Sequence, residues 1–194
     1  MKFKTFKYSS VSSTNDVAIN LIKSEKEKSG LVYSDKQTKG RGSYGKKWVS
    51  SKGNLFASIF FPLEKNYPSF SEFALISPLL VTDVIKSLCR KQKINLKFPN
   101  DILVNEKKIC GILQEFITLK KKRFLVVGIG LNIVTNPNIK SKYKATNLLF
   151  ECKKNLKIID VINLIISAYE KFLINLELYK YVDFKKRAEA IALN

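Results

Sequence analysis

KFPNDILVNEKKICGIL, residues Lys97 to Leu113, strings short apolar runs between two turns. Leu96–Phe98 and Ile102–Val104 read as strands around the Pro99-Asn100-Asp101 turn. Asn105-Glu106-Lys107 reads as a hairpin connection into a third strand, Ile109–Thr118. Working outward, the basic turn Lys120–Arg123 leads to another strand, Phe124–Val134. Upstream, Leu55–Phe61 is an apolar strand ended by Pro62, with short strands at Phe3–Tyr8 and Leu31–Ser34. Strands cluster centrally and adjacent ones are joined by short turns. That pattern predicts an α+β fold: a largely antiparallel sheet with helices on one side.

Three segments read as helices. Ser13 or Thr14 can cap a helix through Ala18, Leu21 and Ile22, with Gly30 as its stop. Ser71–Arg90 repeats apolar residues at helical spacing, with a kink or late start expected at Pro78. Ile158–Leu178 carries an apolar face through Val161, Ile165, Tyr169 and Phe172. Residues 181–194 read as a short basic tail after a single domain over 1–180.

Composition removes several chemistries. The 194 residues contain no histidine, so no Ser-His-Asp or Cys-His pair and no HExxH site exists. Catalysis must use carboxylates, lysine, arginine, backbone N–H groups or a carboxylate-held metal. Cys89, Cys110 and Cys152 are widely spaced and lack a CxxC, which predicts three reduced, buried thiols. No apolar run is long enough to span a membrane and no signal-peptide core opens the chain, so the expectation is a soluble cytoplasmic protein. The net charge of +19 attracts polyanions in general. Yet the basic runs KSEKEK (Lys23–Lys28), KKKR (Lys120–Arg123) and KSKYK (Lys140–Lys144) fall at separate surface turns rather than in one stripe.

The long loop from Gln37 to Gly53 holds Gly40-Arg41-Gly42-Ser43-Tyr44-Gly45, a literal GxGxxG. Its context is wrong for a dinucleotide fold, because Trp48 and then a strand follow rather than a helix. The loop instead suits an anion. Glycine backbone approaches a ligand closely, successive N–H groups form a nest, and Arg41 adds a guanidinium fork. In the Lys97–Leu113 stretch, Asp101 can hold Mg²⁺ or attract an ammonium group, and Lys108 returns beside it as a clamp on negative charge. Gly128-Ile129-Gly130-Leu131-Asn132 strips one strand face of side chains, which leaves room for a flat ligand. Such a set suits activation of a carboxylic acid with a nucleotide.

Taken in order, Ser13-Thr14-Asn15, Gln37, Gly40-Arg41-Gly42, Trp48, Gly53-Asn54-Leu55, Lys97, Pro99-Asn100-Asp101, Lys108, Gly111-Ile112-Leu113 and Gly128–Asn132 resemble the catalytic domain of the biotin–protein ligases. The resemblance covers about two thirds of the chain, residues 13 to 132. It implies a class II aminoacyl-tRNA synthetase-like, biotin synthetase-like α+β fold. It also implies a two-step reaction: biotin and Mg-ATP give biotinyl-5'-AMP, and a lysine of a biotin carboxyl carrier domain then takes the biotinyl group. The implied biotin residues are Ser13, Thr14, Asn15, Gln37, Arg41, Gly42, Ser43, Lys108 and Gly111. Those for ATP and the adenylate are Gly40, Arg41, Trp48, Lys97, Asn100 and Asn132, with Asp101 on the metal. Lys108, Arg41 and Asp101 would carry catalysis.

The chain departs from that pattern at Ser43, where the family often has a second arginine, and at Phe98, where tryptophan is usual. One cation fewer predicts a leakier adenylate. The chain length leads us to expect neither the helix-turn-helix repressor domain nor the small C-terminal β domain of some relatives, and hence no specific DNA binding. Exposed strand edges permit a homodimer. The rival readings are a lipoate or octanoate ligase, for which a different glycine motif and a histidine are expected, a non-catalytic basic nucleic-acid-binding module, and a catalytically impaired paralogue.

Overall fold

The computed structural model describes residues 1–137 and 144–193, so most of the KSKYK run (Lys140–Lys144) lies outside the described residues. Among the described residues, seven strands form one sheet: β1 (Thr5–Tyr8), β2 (Gly30–Ser34), β3 (Leu55–Pro62), β4 (Ile94–Lys97), β5 (Asp101–Val104), β6 (Lys107–Leu119) and β7 (Lys122–Leu131). Their order is β1-β2-β3-β7-β6-β5-β4, antiparallel throughout except for the parallel β1–β2 pair. The α+β expectation therefore stands.

The helices do not share one side, as the sequence led us to expect. Seven of the eight β3 residues are buried, which requires cover on both faces. Leu55, Ala57, Ile59 and Phe61 enter a large core with α2 (Phe70–Leu88) and α4 (Ile158–Ile174). Phe60 points the other way, into a smaller core with Ala18 and Ile22 of α1 (Thr14–Lys23) and with Val32, Phe124 and Val126. Helix α1 covers only part of its face, because its contacts run to β2, β3, β7 and β6. The remainder of that face is where the cavity lies.

Other boundaries moved for identifiable reasons. Helix α1 ends at Lys23, well before Gly30, because Glu25 takes a left-handed conformation and Ser24 and Glu25 close the last turn onto Asn20 and Ile22. Gly30 instead opens β2, where a Cβ would meet the Phe6 ring at 2.6 Å. Helix α2 begins at a capping box, Ser69 with Glu72, and runs through the buried Pro78 without a late start. Ala74, whose carbonyl loses its helical donor to that proline, is exposed to solvent, which lowers the cost. Two tight hairpins, at Asn105-Glu106 and Lys120-Lys121, place both loop residues at positive φ, the geometry that matches strand twist.

The segment read as a tail is helix α5 (Tyr181–Ala190), with Ala188 buried and Arg187 forked onto Asp83 of α2 at 2.7 and 2.8 Å. Beyond it, Leu96 N–H donates to Ile191 O and Leu193 N–H to Leu96 O, so residues 191–193 line the outer edge of β4. The expectation of three reduced thiols holds for Cys110 alone, which is buried and free. Cys89 at the end of α2 and Cys152 at the end of α3 (Leu148–Cys152) form a disulfide, their Cα atoms 4.8 Å apart. Spacing along the chain hid that pair, because the sheet brings residues 63 apart together.

Candidate active site

The sheet register builds the site. One row across it runs Phe56, Gly130, Gly111, Asp101 and Lys97, each directly opposite the next. All face the side that carries α1, since alternate residues of β3 and β7 fill the other core. Two glycines in the row's centre leave, between Phe56 and Asp101, the space in which the Trp48 ring lies.

A bulge aims the lysine. In β5–β6 the register passes from Ile102 opposite Cys110 to Leu103 opposite Lys108, so Ile109 is the extra residue. Regular alternation from Gly111 would bring 109 and 107 to the site face. With the bulge, Ile109 and Cys110 both join the large core, and Lys108 falls on the face of Gly111 and Asp101. Its ammonium sits 2.7 Å from Asp101 Oδ1 and 5.5 Å above the Trp48 ring.

The resulting cavity has a volume of about 720 Å³, within the usual range for small-molecule sites. Of the residues named from sequence, Ser13, Thr14, Asn15, Gln37, Arg41, Gly42, Ser43, Trp48, Lys97, Asn100, Asp101, Lys108, Gly111 and Asn132 all line it. Gly40 does not; it lies in an adjoining hollow, where a Cβ would press on the Trp48 carbonyl.

At one end, the N-terminus of α1 meets a polar cluster. Gln37 Oε1 accepts from Thr14 N–H at 2.9 Å, and Ser58 hydroxyl lies within hydrogen-bonding reach of both Thr14 Oγ1 and Asn15 Oδ1. Ser13 is the N-cap but its side chain makes no capping bond. At the other end, Asn100 Nδ2 donates to Ser43 Oγ and to Ile112 O, tying the glycine loop to the Pro-Asn-Asp turn, where the Phe98–Pro99 peptide is cis.

Two expectations change. The glycine loop is no open nest: Gly42 N–H donates to Lys46 O at 2.7 Å and Trp48 N–H to Gly40 O at 2.9 Å, making a small hairpin with its tip at Ser43–Gly45. No helix follows it, in keeping with rejection of the dinucleotide motif. The bare glycine face of β7 is already covered. Trp48 lies flat on it, so that a Cβ at Gly111 would stand 2.6 Å from the indole and one at Gly130 closer still, while Asn15 occupies the space over Gly128. Asn132, which lines the cavity, also donates to Thr146 O at 3.0 Å while its Oδ1 faces Asn54 Nδ2. Asn54 in turn accepts from three successive backbone N–H groups, Ile133 to Thr135, and so locks the exit of β7.

Sequence reading also missed Ser58, Asp16 and Glu115. Arg41 Nη2 contacts Asp16 Oδ1 at 2.9 Å and Glu115 Oε2 at 2.7 Å. Counting by twos from Gly111 through Leu113 along β6 would have found Glu115. Among the described residues no cluster of three or more His, Cys, Asp or Glu stands ready for a metal. Burial pushes the Cys110 thiol up, away from the thiolate a nucleophile needs.

Comparison with known proteins agrees with this geometry. Residues 8–132 match the Biotin/lipoate A/B protein ligase family. The bifunctional ligase/repressor BirA of Bacillus subtilis is 32% identical over 170 residues, 83% of this chain and 51% of that protein. Biotin–protein ligase 2 of Arabidopsis thaliana is 36% identical over 63% of this chain and 38% of its own length. The chain thus spans half the length, or less, of these curated relatives. The Aquifex aeolicus biotin protein ligase solved in complex with biotin and ATP superposes with a TM-score of 0.78, at 28% identity, covering 98% of this chain and 78% of that one. The Leishmania major biotin protein ligase with biotin shares the fold, with a TM-score of 0.82 at 24% identity over 98% of this chain and 81% of that one. With strands β2 to β7 and the cavity wall from Ser13 to Asn132 inside the matched stretch, the chain belongs to the biotin/lipoate A/B protein ligase family.

Proposed function

We propose that this chain joins biotin to a lysine of a biotin carboxyl carrier domain, through biotinyl-5'-AMP. The observation that carries the reading is convergence. Residues from 13 to 132, on a helix, three loops and several strands, line one cavity with a polar end, a lysine–aspartate pair and an arginine loop. The polar end around Thr14, Asn15, Gln37 and Ser58 offers both donors and acceptors, which suits the carbonyl and two N–H groups of a ureido ring better than an aliphatic or dithiolane tail.

In the first step the biotin carboxylate forms a bond to the α-phosphorus of ATP, and the bond to the β-phosphate oxygen breaks to release pyrophosphate. Lys108, between the carboxylate and the α-phosphate, neutralises charge that grows in the transition state. Arg41 holds the anionic end of the acid, and Asn100 and Lys97 face the nucleotide side. In the second step a carrier lysine attacks the mixed anhydride carbon, the amide forms and AMP leaves. Holding both reactants in one cavity supplies much of the rate without a histidine. Asp101 is a single carboxylate, and Mg²⁺ is commonly held by one or two carboxylates together with substrate phosphates, so the donor set fits an ion that arrives with the nucleotide. Such an ion would screen the phosphates.

The test is biotin-dependent pyrophosphate release from Mg-ATP, run beside lipoate and octanoate, with and without a carrier domain. Biotin-specific release followed by a mass shift on the carrier lysine is expected. Release with lipoate or octanoate instead would move the chain to the other branch of the family. No release with any acid, from folded protein, would refute the activity.

A further inference from the structure

We propose that Glu115 is a positioning residue that sets Arg41 and Asn15 in place for the acid, and so determines how tightly the site binds it. The inference rests on the ligase reading for its kinetic arm only. Glu115 Oε2 accepts from Arg41 Nη2 at 2.7 Å and from Asn15 Nδ2 at 2.7 Å. One carboxylate oxygen therefore ties the glycine loop to the first turn of α1. Asn15 is further pinned by Leu113 O and Ser58 Oγ, and Arg41 by Asp16 Oδ1 at 2.9 Å.

The arrangement of the guanidinium is informative. Both carboxylates contact the same terminal nitrogen, Nη2. The fork is held by one corner, and its Nε and Nη1 donors remain for a planar anion. Two carboxylates on one guanidinium leave a local charge of about −1. An incoming carboxylate or phosphate thus meets an arginine that is oriented but more than neutralised, so Glu115 orients at some cost in attraction. The side chains of Arg41, Asp16 and Glu115 are 42%, 38% and 29% exposed, so water screens the pair and the coupling stays modest.

Two measurements decide it. The first needs no activity: the rate at which phenylglyoxal modifies Arg41 in the ligand-free protein, followed by peptide mass spectrometry. Glu115→Gln, which keeps an acceptor for Asn15 but loses the ion pair, should raise that rate about two- to fivefold, the size of an exposed ion pair's coupling. The second is biotin-dependent adenylate formation. Glu115→Gln should raise the biotin KM by a similar factor, Glu115→Asp should restore part of it, and adding Glu115→Gln to Arg41→Ala should change little. An unchanged Arg41 reaction rate, or kinetic effects that simply add in the double variant, overturns the proposal. A wild type that makes no adenylate refutes the ligase reading, and the modification rate alone then judges the clamp.

Discussion

Lys108 and Asp101 stand 2.7 Å apart, each largely shielded, and either can be removed without touching the core. Lys108→Ala should therefore leave the unfolding midpoint nearly unchanged, since a partly exposed pair contributes about 1 kcal/mol or less. Adenylate formation should fall roughly 100- to 1000-fold or more, as for loss of other groups that stabilise developing negative charge. Pyrophosphate exchange beside circular dichroism checks both halves, and full activity would remove Lys108 from the mechanism. Ser43 accepts from Asn100 and sits where a second loop cation would stand. Ser43→Arg should slow release of biotinyl-AMP, measured by filter binding or by quench with excess biotin. An off-rate equal to the wild type would show that the missing cation is immaterial.

At the scale of elements, what was legible follows the strength of local signals. The hairpins at Asn105-Glu106 and Lys120-Lys121 and the long helices announce themselves through turn residues and apolar spacing. The bulge at Ile109 does not, because a one-residue register shift leaves the order of apolar residues unchanged. Yet that shift decides which face Lys108 occupies. Trp48 illustrates a second blind spot. Its place in the cavity wall was readable from the motif; its seat on Gly111 and Gly130 depends on a register no spacing rule reports. Helix α2 offers a cleaner test of local reading. Ser69 N–H, at 2.8 Å, holds the Glu72 carboxyl below its ordinary value of 4.5, with the Ser69 hydroxyl and Tyr179 helping. A folded pKa below the unfolded one means the contribution is present above pH 4.5 and is lost as pH falls through the folded value. Ser69→Ala should cost about 1 kcal/mol at neutral pH. Glu72→Gln should flatten the acid limb of the stability profile below the ordinary carboxylate pKa, read by denaturant titrations at stepped pH.

For the whole molecule, the Cys89–Cys152 disulfide closes a separation of 63 residues and ties α2 to α3. Cys152→Ser should lower the unfolding free energy by roughly 2–4 kcal/mol in non-reducing buffer, and dithiothreitol should bring the wild type down to the variant. Equal stability with and without reductant would show that the bond contributes nothing. The net charge of +19 belongs to this scale too, spread over separated turns and present also at the cavity, whose lining sets Arg41, Lys46, Lys47, Lys97 and Lys108 against Asp101. An acidic carrier domain would make the transfer step slow as salt rises, while adenylate formation changes less; equal salt dependence of the two steps would assign the charge no part in docking.

The pairing of residues 191–193 with Leu96 has a consequence during synthesis. A nascent chain emerging from its N-terminus can assemble β3, β7, β6 and β5 as soon as Leu131 has cleared the ribosome, yet the outer rim of β4 stays unpaired until far later. Through that interval a row of backbone donors and acceptors beside Leu96 is open to another nascent chain. Residues 191–193 thus cover this edge only after the strands beside it have formed, and slow translation between Leu131 and Ile191 would lengthen the time in which the newborn protein can stick to its neighbours.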